Sequence, residues 1–294
     1  IVDRVAVVMR DVFGHEPTTV FFPPSTSGYT GVVYMAGDLE TARARIDTVP
    51  ELERIKRLQA DFPVELTYTT RPATDDWPYL YLDRPRIPPL FGFLAGVLAL
   101  LVFLVARVMR LPQAMNPLRW EAEAWHFAFL GAAFLLLEVQ NISKAAVVLG
   151  NTWLVNAVII SGVLTMILAA NAVVIRWPRI PLRPVYAVLL ITVLGLYFVD
   201  LASFAFLPFA WKVLVVGGLT TLPMAFSGVA FARAFAVAGR KDYALGANLI
   251  GALVGAILEA VSFLLGIRAL LLAVAVLYAA AMMTRPGSRV SLRA

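Results

Sequence analysis

The side chains that could do chemistry in this sequence are acids and amides placed inside long apolar segments. Glu138 and Glu259 each interrupt such a segment. Asn141 follows Glu138 by three residues, and Asn248 lies three helical turns before Glu259 on nearly the same helix face. A charge at the centre of a bilayer costs roughly 2.5–3.5 kcal/mol on insertion scales, so it needs a partner, a proton or water. These four residues are predicted to form an intramembrane polar site for a cation, a proton or an organic amine.

A structural interpretation competes with the functional one. Polar groups between helices can also form hydrogen bonds and ion pairs that hold a bundle in register. For Glu138 and Glu259 both interpretations are kept. Lys144, Asp200 and Lys212 lie close to the ends of apolar segments, where their side chains can reach the interface. These three residues are therefore predicted to be structural.

The composition is that of a membrane protein with a polar head. Of the 294 residues 60% are hydrophobic, and the mean hydropathy is +0.80. Residues 1–87 carry 10 Lys and Arg against 13 Asp and Glu, a net charge of −3. Residues 88–294 carry 15 against 6, a net charge of +9. The basic residues lie at the ends of apolar segments, which indicates membrane orientation and not nucleic-acid binding.

The cysteine and histidine content excludes several chemistries. The chain has no cysteine, so disulfides, thiolate catalysis and Cys-ligated metals are excluded. Its two histidines, His15 and His126, are far apart in the sequence, which argues against a His-based metal site or a Ser-His-Asp relay. His126 follows Trp125 and is predicted to be an interfacial residue and not a ligand.

Seven apolar segments are predicted to cross the bilayer, because about 20 apolar residues in a helix span its hydrocarbon core. They are 88–106, 125–149, 152–175, 185–207, 211–232, 245–265 and 267–283. Five of the six tryptophans lie at or near the ends of these segments, where amphipathic rings are enriched. The predicted fold is therefore an all-α polytopic bundle of about seven helices. The stripe of small residues in 245–265 predicts a central position for that helix.

Residues 1–87 are predicted to form a small, incomplete α/β head, which precedes the transmembrane domain at 88–294. The predicted elements are a helix in 1–13, strands at 18–22, 31–36 and 64–69, and helices at 42–46 and 51–58. Asp38 is predicted to cap the second helix, and Thr48 the third.

The junction between head and bundle contains Asp75, Asp76 and Trp77. Paired acids beside an aromatic ring could grip a cation at the membrane entrance. The alternative is a turn followed by an aromatic anchor at the interface, and this interpretation is preferred.

Segments 74–81 and 129–138 resemble the membrane-bound spermidine-synthase-like proteins of bacteria, and 246–251 is similar to the late spans of that family. The resemblance implies a Rossmann-type domain, like those of S-adenosylmethionine-dependent methyltransferases and aminopropyltransferases, fused to membrane spans in the bacterial inner membrane. Residues 1–36 are similar to the closing hairpin of such a domain. The chain is thus expected to be the C-terminal part of a longer protein.

The parts of such a domain that would bind a cofactor are not found in the sequence. A Gly-rich turn after a first strand, a ribose-binding acid and an Asp-containing catalytic loop are missing, and Gly28 and Gly31 do not substitute for them. No catalytic residue is assigned, and the chain is not expected to transfer an aminopropyl or methyl group by itself. S-adenosylmethionine, or its decarboxylated form, is expected only for a full-length parent.

Three functional hypotheses follow. In the first, the bundle is a membrane module that anchors the head and presents an amine or a lipid-soluble substrate to it. In the second, it is a transporter or permease whose pathway uses Glu138, Glu259 and Asn248, although no inverted repeat or pair of matched broken helices supports this. In the third, it is a structural membrane anchor. The lipid bilayer is the expected partner in all three, and the substrate and oligomeric state are left open.

The topology can be tested with a single cysteine. Twelve Lys and Arg residues flank one predicted face and five flank the other, which predicts a cytoplasmic C-terminus. Seven crossings then place residues 1–87 outside, so either one crossing is miscounted or the head does not use a cytosolic cofactor. Ser25→Cys, in a chain without other cysteines, should react with a membrane-impermeant maleimide in intact cells. Labelling only after the cells are broken open would contradict this topology.

Overall fold

The structure is a computed structural model that describes residues 1–24, 30–108, 119–150 and 153–285. Ser25, Gly28 and Thr152, which the sequence analysis names, lie outside these ranges. The chain divides into two compact units, Ile1–Arg86 and Ile87–Ala294, each with its own core.

The first unit is a short α/β arrangement. Its elements are α1 (Val2–Phe13), β1 (Thr18–Phe22), β2 (Gly31–Met35), α2 (Leu39–Thr48) and α3 (Glu53–Asp61). The two strands pair antiparallel, with Val20 opposite Val33, so the predicted helix–strand–strand order is confirmed. Asp38 accepts a hydrogen bond from the Thr41 amide at 3.1 Å and caps α2 as predicted. Thr48 does not cap α3, because its hydroxyl donates to the Ala44 carbonyl at 2.7 Å.

The predicted third strand at 64–69 is wrong, because Asp3 binds the backbone donors that a strand would need. Its carboxylate accepts hydrogen bonds from the amides of Thr67 and Tyr68, both at 2.7 Å, and from the Thr70 amide at 3.2 Å. Tyr68 has a φ of 52°, which is incompatible with an extended strand. Burial raises the pKa of Asp3, but the hydrogen bonds from Tyr68, Thr70 and Thr67 together hold that pKa well below its usual value.

The buried guanidinium of Arg4 binds the last segment of this unit. Its side chain is 2% exposed and donates to four backbone carbonyls between residues 71 and 83, at 2.7 to 3.2 Å. Its guanidinium also lies 5.0 Å from the ring centroid of Trp77. Residues 71–83 are therefore held to α1 without regular secondary structure.

The second unit is helical. Its helices are α4 (Pro89–Val108), α5 (Ala122–Leu149), α6 (Trp153–Arg176), α7 (Leu182–Phe198), α8 (Phe209–Ala236), α9 (Lys241–Leu258), α10 (Ser262–Leu265) and α11 (Ala269–Thr284). Within the described ranges, α5, α6, α8 and the stretch Lys241–Leu265 are long and apolar enough to cross a membrane. The apolar parts of α4, α7 and α11 are shorter, so a count of seven crossings stays a prediction.

The predicted span 185–207 is too long. Helix α7 ends at Phe198, and Asp200 then caps a 3₁₀ turn at Leu201–Phe204 by accepting a hydrogen bond from the Ala202 amide at 3.1 Å. An Asp side chain next to a helix end competes for backbone amides and favours such a turn over continuation of the helix.

Helix α5 lies at the centre of this unit and contacts α6, α8, α9 and α11. Helix α6 packs on α8, and α7 packs on α8 and α11. The stripe of small residues predicted a central position for α9, and this prediction is wrong. One side of α9 packs on α5, while Leu249 and Val254 on its other side are 58% and 48% exposed.

Helices α5 and α9 approach each other closely at three glycines. A side-chain carbon at Gly251 would overlap the backbone of Ala128, and one at Gly255 would overlap the backbone of Ala132. On the other helix, a side-chain carbon at Gly131 would overlap the backbone of Asn248. Residue numbers rise together along this contact, so the two helices run parallel.

Replacing Asp3 should release the segment that follows α3. In Asp3→Asn, an amide oxygen replaces a charged acceptor of several hydrogen bonds, so the amides of Thr67 to Thr70 should exchange with solvent deuterium roughly tenfold faster. Asp11→Asn, on the same helix and with the same change of charge, should leave this exchange unaltered. Hydrogen exchange of the full-length chain measured by mass spectrometry gives both values. Equal exchange in the two variants would contradict the role of Asp3.

The same interaction has a defined pH dependence. The folded pKa of Asp3 is depressed, so its stabilisation is complete above the unfolded value and is lost as the pH falls through the folded value. In the wild type, after correction for intrinsic exchange, protection of this segment should hold down to about pH 4 and then decline. Asp3→Asn should lack the decline.

The α5–α9 contact can be tested with a matched pair of glycines. Gly251→Ala should lower the free energy of unfolding by about 1–3 kcal/mol, because backbone atoms must move apart. Gly246 lies on the same helix with nothing within 4 Å of an added carbon. Gly246→Ala should therefore be neutral or should raise stability by up to about 1 kcal/mol. Thermal unfolding of the full chain in detergent compares them, and equal stabilities would contradict the close approach.

Candidate functional site

The register between α5 and α9 places the two acids at similar depth in the bundle. Ala128 lies opposite Gly251 and Ala132 opposite Gly255, so continuing both helices by about one turn or more brings Glu138 near the level of Glu259. The 3₁₀ turn that begins at Glu259 contacts α5, in agreement with this register.

Neither acid is neutralised by a basic side chain. Glu138 and Glu259 are both partly buried. Among the described residues, neither carboxylate has a hydrogen-bond or ion-pair partner. Lys144, the nearest lysine to Glu138 in the sequence, instead donates to the Leu196 carbonyl at 3.4 Å, near the end of α7. The arrangement therefore leaves two carboxylates available to a cation, a proton or water.

Two buried amides lie next to Glu138 on α5. Asn141 is fully buried, and its amide donates to the Thr220 carbonyl at 2.7 Å, in the helical turn that precedes Pro223. Proline has no amide hydrogen, so Pro223 leaves a carbonyl of the preceding turn without its helical hydrogen bond. A side-chain amide that binds the backbone of that turn agrees with this. The Asn141 side-chain oxygen, and both polar atoms of the Gln140 side chain, have no hydrogen-bond partner in the described part of the chain.

Gln140 was not among the predicted site residues. Its side chain is 1% exposed, and an unpartnered buried amide is uncommon in folded proteins. The only sequence signal for Gln140 was an amide inside an apolar segment, the same signal that singled out Asn141 and Asn248. Gln140 follows Glu138 by two residues and therefore lies on nearly the opposite face of α5, so it is a separate buried amide and not part of the group of Glu138 and Asn141.

Asn248 does not belong to this group. Its amide donates to the Phe127 carbonyl at 3.1 Å, and its own backbone lies against Gly131. Eleven residues of helix, or roughly 16 Å, separate it from Glu259. Asn248 therefore stabilises the α5–α9 contact, while the structure brings Glu138 and Asn141 to nearly the same depth as Glu259.

The contacts of Asp200 and Lys144 agree with the structural role predicted for them. Asp200 lies 3.9 Å from Arg268 in an ion pair next to the turn that Asp200 caps. Lys144 reaches the carbonyl of Leu196, one of the last carbonyls of α7, which have no partner within the helix. Lys212 lies in the first turn of α8.

The junction residues form a turn, as preferred in the sequence analysis. The Trp77 amide donates to the Thr74 carbonyl at 2.9 Å, and the Thr74 amide donates to the Trp77 carbonyl at 3.3 Å. Trp77 is not an interfacial anchor, because it is 2% exposed and two guanidinium groups, from Arg4 and Arg71, lie 5.0 and 5.5 Å from its ring.

The neighbouring acids do not make this turn a cation site that includes the ring. Asp75 is exposed and Asp76 is partly buried. The ring of Trp77 is already in contact with two of the protein's own cations. The junction residues therefore contribute to packing within the first unit, unlike the acids in the bundle, which have no cationic partner among the described residues.

His126 is fully buried and not interfacial. Its Nδ1 atom lies 2.7 Å from the Ala281 carbonyl on α11, and its ring centroid lies 6.2 Å from that of Tyr186 on α7. The prediction failed because two helices distant in the sequence cover this side of α5. Close by, the Tyr278 hydroxyl donates to Ser227 at 2.8 Å. The polar interior thus extends towards the end of the bundle where α5 begins.

Comparison with known proteins does not assign the chain. In the described ranges, no group of three or more His, Cys, Asp or Glu residues could hold a metal ion. No family model matches the chain, and no curated protein or solved structure matches it. The resemblance to the spermidine-synthase-like family therefore rests on the sequence segments 74–81, 129–138 and 246–251 alone.

Proposed function

We propose that the helical unit binds a small protonated amine inside the bundle, as the membrane module of a larger protein. The observation that carries the proposal is the pair of partly buried carboxylates, Glu138 and Glu259, which have no cationic partner among the described residues. Acids inside membrane bundles are rare and are usually paired with a cation or placed on a substrate or ion path. A ligand with positive charge would supply the missing partner.

The neighbouring amide favours an amine over a bare metal ion. An ammonium group offers three N–H donors and no acceptor. The side-chain oxygen of Asn141, three residues from Glu138, is a buried acceptor that lacks a donor in the described part of the chain. A hard metal ion would need six or more oxygen ligands or several bound waters. Two carboxylates and one amide oxygen match one or two ammonium groups better.

A transport function is the second candidate, and the path of the chain at Glu259 favours it. Helix α9 ends at Leu258 and is followed by a 3₁₀ turn at Glu259–Val261 and then by α10. Interrupted helices with a charged residue at the break line the substrate sites of many transporters. Short 3₁₀ segments within a longer helix also mark functional hinges. In this case the amine would cross the bilayer and would not only be bound.

The resemblance suggests where the amine would go. In a spermidine-synthase-like parent, the bundle would present an amine or a lipid-soluble substrate to a complete α/β domain that binds S-adenosylmethionine or its decarboxylated form. Residues 1–87 would close that domain, and the resemblance would place the chain in the bacterial inner membrane. Binding of S-adenosylmethionine or a polyamine by the parent tests this part of the proposal separately.

Binding of spermidine to the purified full chain tests the amine site. Loss of a charged hydrogen-bond partner at a buried site typically costs about 1.5–3 kcal/mol, so Glu138→Gln and Glu259→Gln should each weaken binding roughly tenfold or more. Asp242→Asn is the matched control, because it removes an exposed acid from α9, the helix that precedes Glu259, without touching the bundle interior. Its affinity should stay within about twofold of the wild type.

Uptake of labelled spermidine into proteoliposomes separates the candidate functions. Uptake by the wild type that is lost in both glutamine variants supports transport. Saturable binding without uptake supports presentation to a head domain. Absence of both, with unchanged thermal unfolding of the variants, would leave only a structural anchor and would overturn the proposal.

A further inference from the structure

The connection between α6 and α7 borders an open surface cavity that is separate from the polar interior. The cavity has a volume of about 530 Å³. Its lining residues are Arg176, Trp177, Pro178, Arg179, Ile180 and Pro181. The Ile180 amide donates to the Trp177 carbonyl at 3.1 Å, which holds the connection in a tight turn. A cavity thus lies where a long apolar helix ends.

The cavity is positively charged. Arg176 and Arg179 line it, and Arg183 lies in the first turn of α7. None of these three arginines forms an ion pair with an acid in the part of the chain that the structure describes. The guanidinium of Arg176 instead lies 5.8 Å from the ring centroid of Trp177. Guanidinium groups bind phosphate oxygens in a bidentate manner, so an anionic group is the complementary ligand.

The backbone adds to this complementarity. Helix α7 begins at Leu182 after Pro181, and no side chain caps its start. The first amides of a helix have no partner within it and carry a partial positive charge. Those amides follow directly on the lining residues Ile180 and Pro181, so the helix start and the arginines favour the same kind of ligand.

The position of the cavity at the end of an apolar helix favours a lipid over a soluble anion as its ligand. Helix α6 is long and apolar enough to cross a membrane, and the cavity begins at its last residue, Arg176. Next to it, Ile175 and Trp177 are 79% and 56% exposed. Exposed apolar and tryptophan side chains at the end of a membrane helix lie at the level of the lipid headgroups. Such a surface contacts acyl chains while the arginines contact phosphate.

We propose that this cavity binds the phosphate headgroup of an anionic phospholipid. The lipid tails would lie along Ile175 and the outer surface of α6, and the headgroup would occupy the space between Arg176, Arg179 and the start of α7. Basic pockets at the ends of membrane helices recognise lipid headgroups through this combination of charge and depth. The site does not depend on the amine site in the bundle interior.

The full chain in detergent, with phosphatidylglycerol and phosphatidylcholine as probes, tests the proposal by native mass spectrometry. The wild type should retain phosphatidylglycerol in preference to phosphatidylcholine. The double variant Arg176→Gln, Arg179→Gln should bind phosphatidylglycerol roughly 10- to 30-fold more weakly. Binding of phosphatidylcholine should change little.

A second pair of basic residues serves as the control. Along the α6–α8 contact Gly162 lies against Thr221 and Ala170 against Gly228, so these helices run parallel and end at the same side. Arg240 and Lys241 follow the end of α8. The double variant Arg240→Gln, Lys241→Gln removes the same charge at that side and should leave phosphatidylglycerol affinity within about twofold.

Three results would overturn the proposal. Equal loss of affinity in the two double variants would show a general effect of surface charge. Equal retention of the two lipids by the wild type would show no headgroup recognition. Inorganic phosphate that binds at Arg176 and Arg179, without preferential retention of phosphatidylglycerol, would show a site for a soluble anion.

Discussion

The contact of the α5 and α9 backbones at Gly131, Gly251 and Gly255 is the constraint on which the helical unit depends. In a bilayer, lipid tails are as apolar as leucine side chains, so helices associate through close packing and hydrogen bonds and not through exclusion of water. The three glycines allow that packing, and the amide of Asn248 adds a hydrogen bond to the Phe127 carbonyl at 3.1 Å. Together they fix the rotation of α5 about its own axis.

Once the rotation of α5 is fixed, its polar side chains point to different neighbours. Asn141 bonds to α8, Lys144 to α7 and His126 to α11. Helix α5 can carry so many polar groups because other helices cover it on several sides, whereas α6 has Leu164 and Leu168 at 61% and 72% exposure. An exposed polar group on a lipid-facing helix has no partner, which is why the polar residues concentrate on the covered helix.

The sequence predicts what depends on local patterns. Helices coincide with all seven apolar segments, and the β1–β2 hairpin and the Asp38 cap follow from residues close together in the chain. The errors have a common cause in contacts between residues far apart. Asp3 accepts hydrogen bonds from amides of a predicted strand more than 60 residues away, and the Arg4 guanidinium packs on the buried ring of Trp77. Hydropathy could place Glu138 in the bundle, but only the α5–α9 register relates its depth to that of Glu259.

Charged side chains inside the two units differ in whether they have partners, and this difference bears on the proposed function. Arg4 in the first unit is almost fully buried, yet four carbonyls and an aromatic ring surround its guanidinium. The chain can therefore compensate a buried charge completely where the charge serves only folding. Glu138 and Glu259 lack such partners among the described residues. Because an uncompensated, partly buried carboxylate adds no stability to a fold, a structural role alone gives no reason to retain two of them, whereas the proposed cationic ligand would.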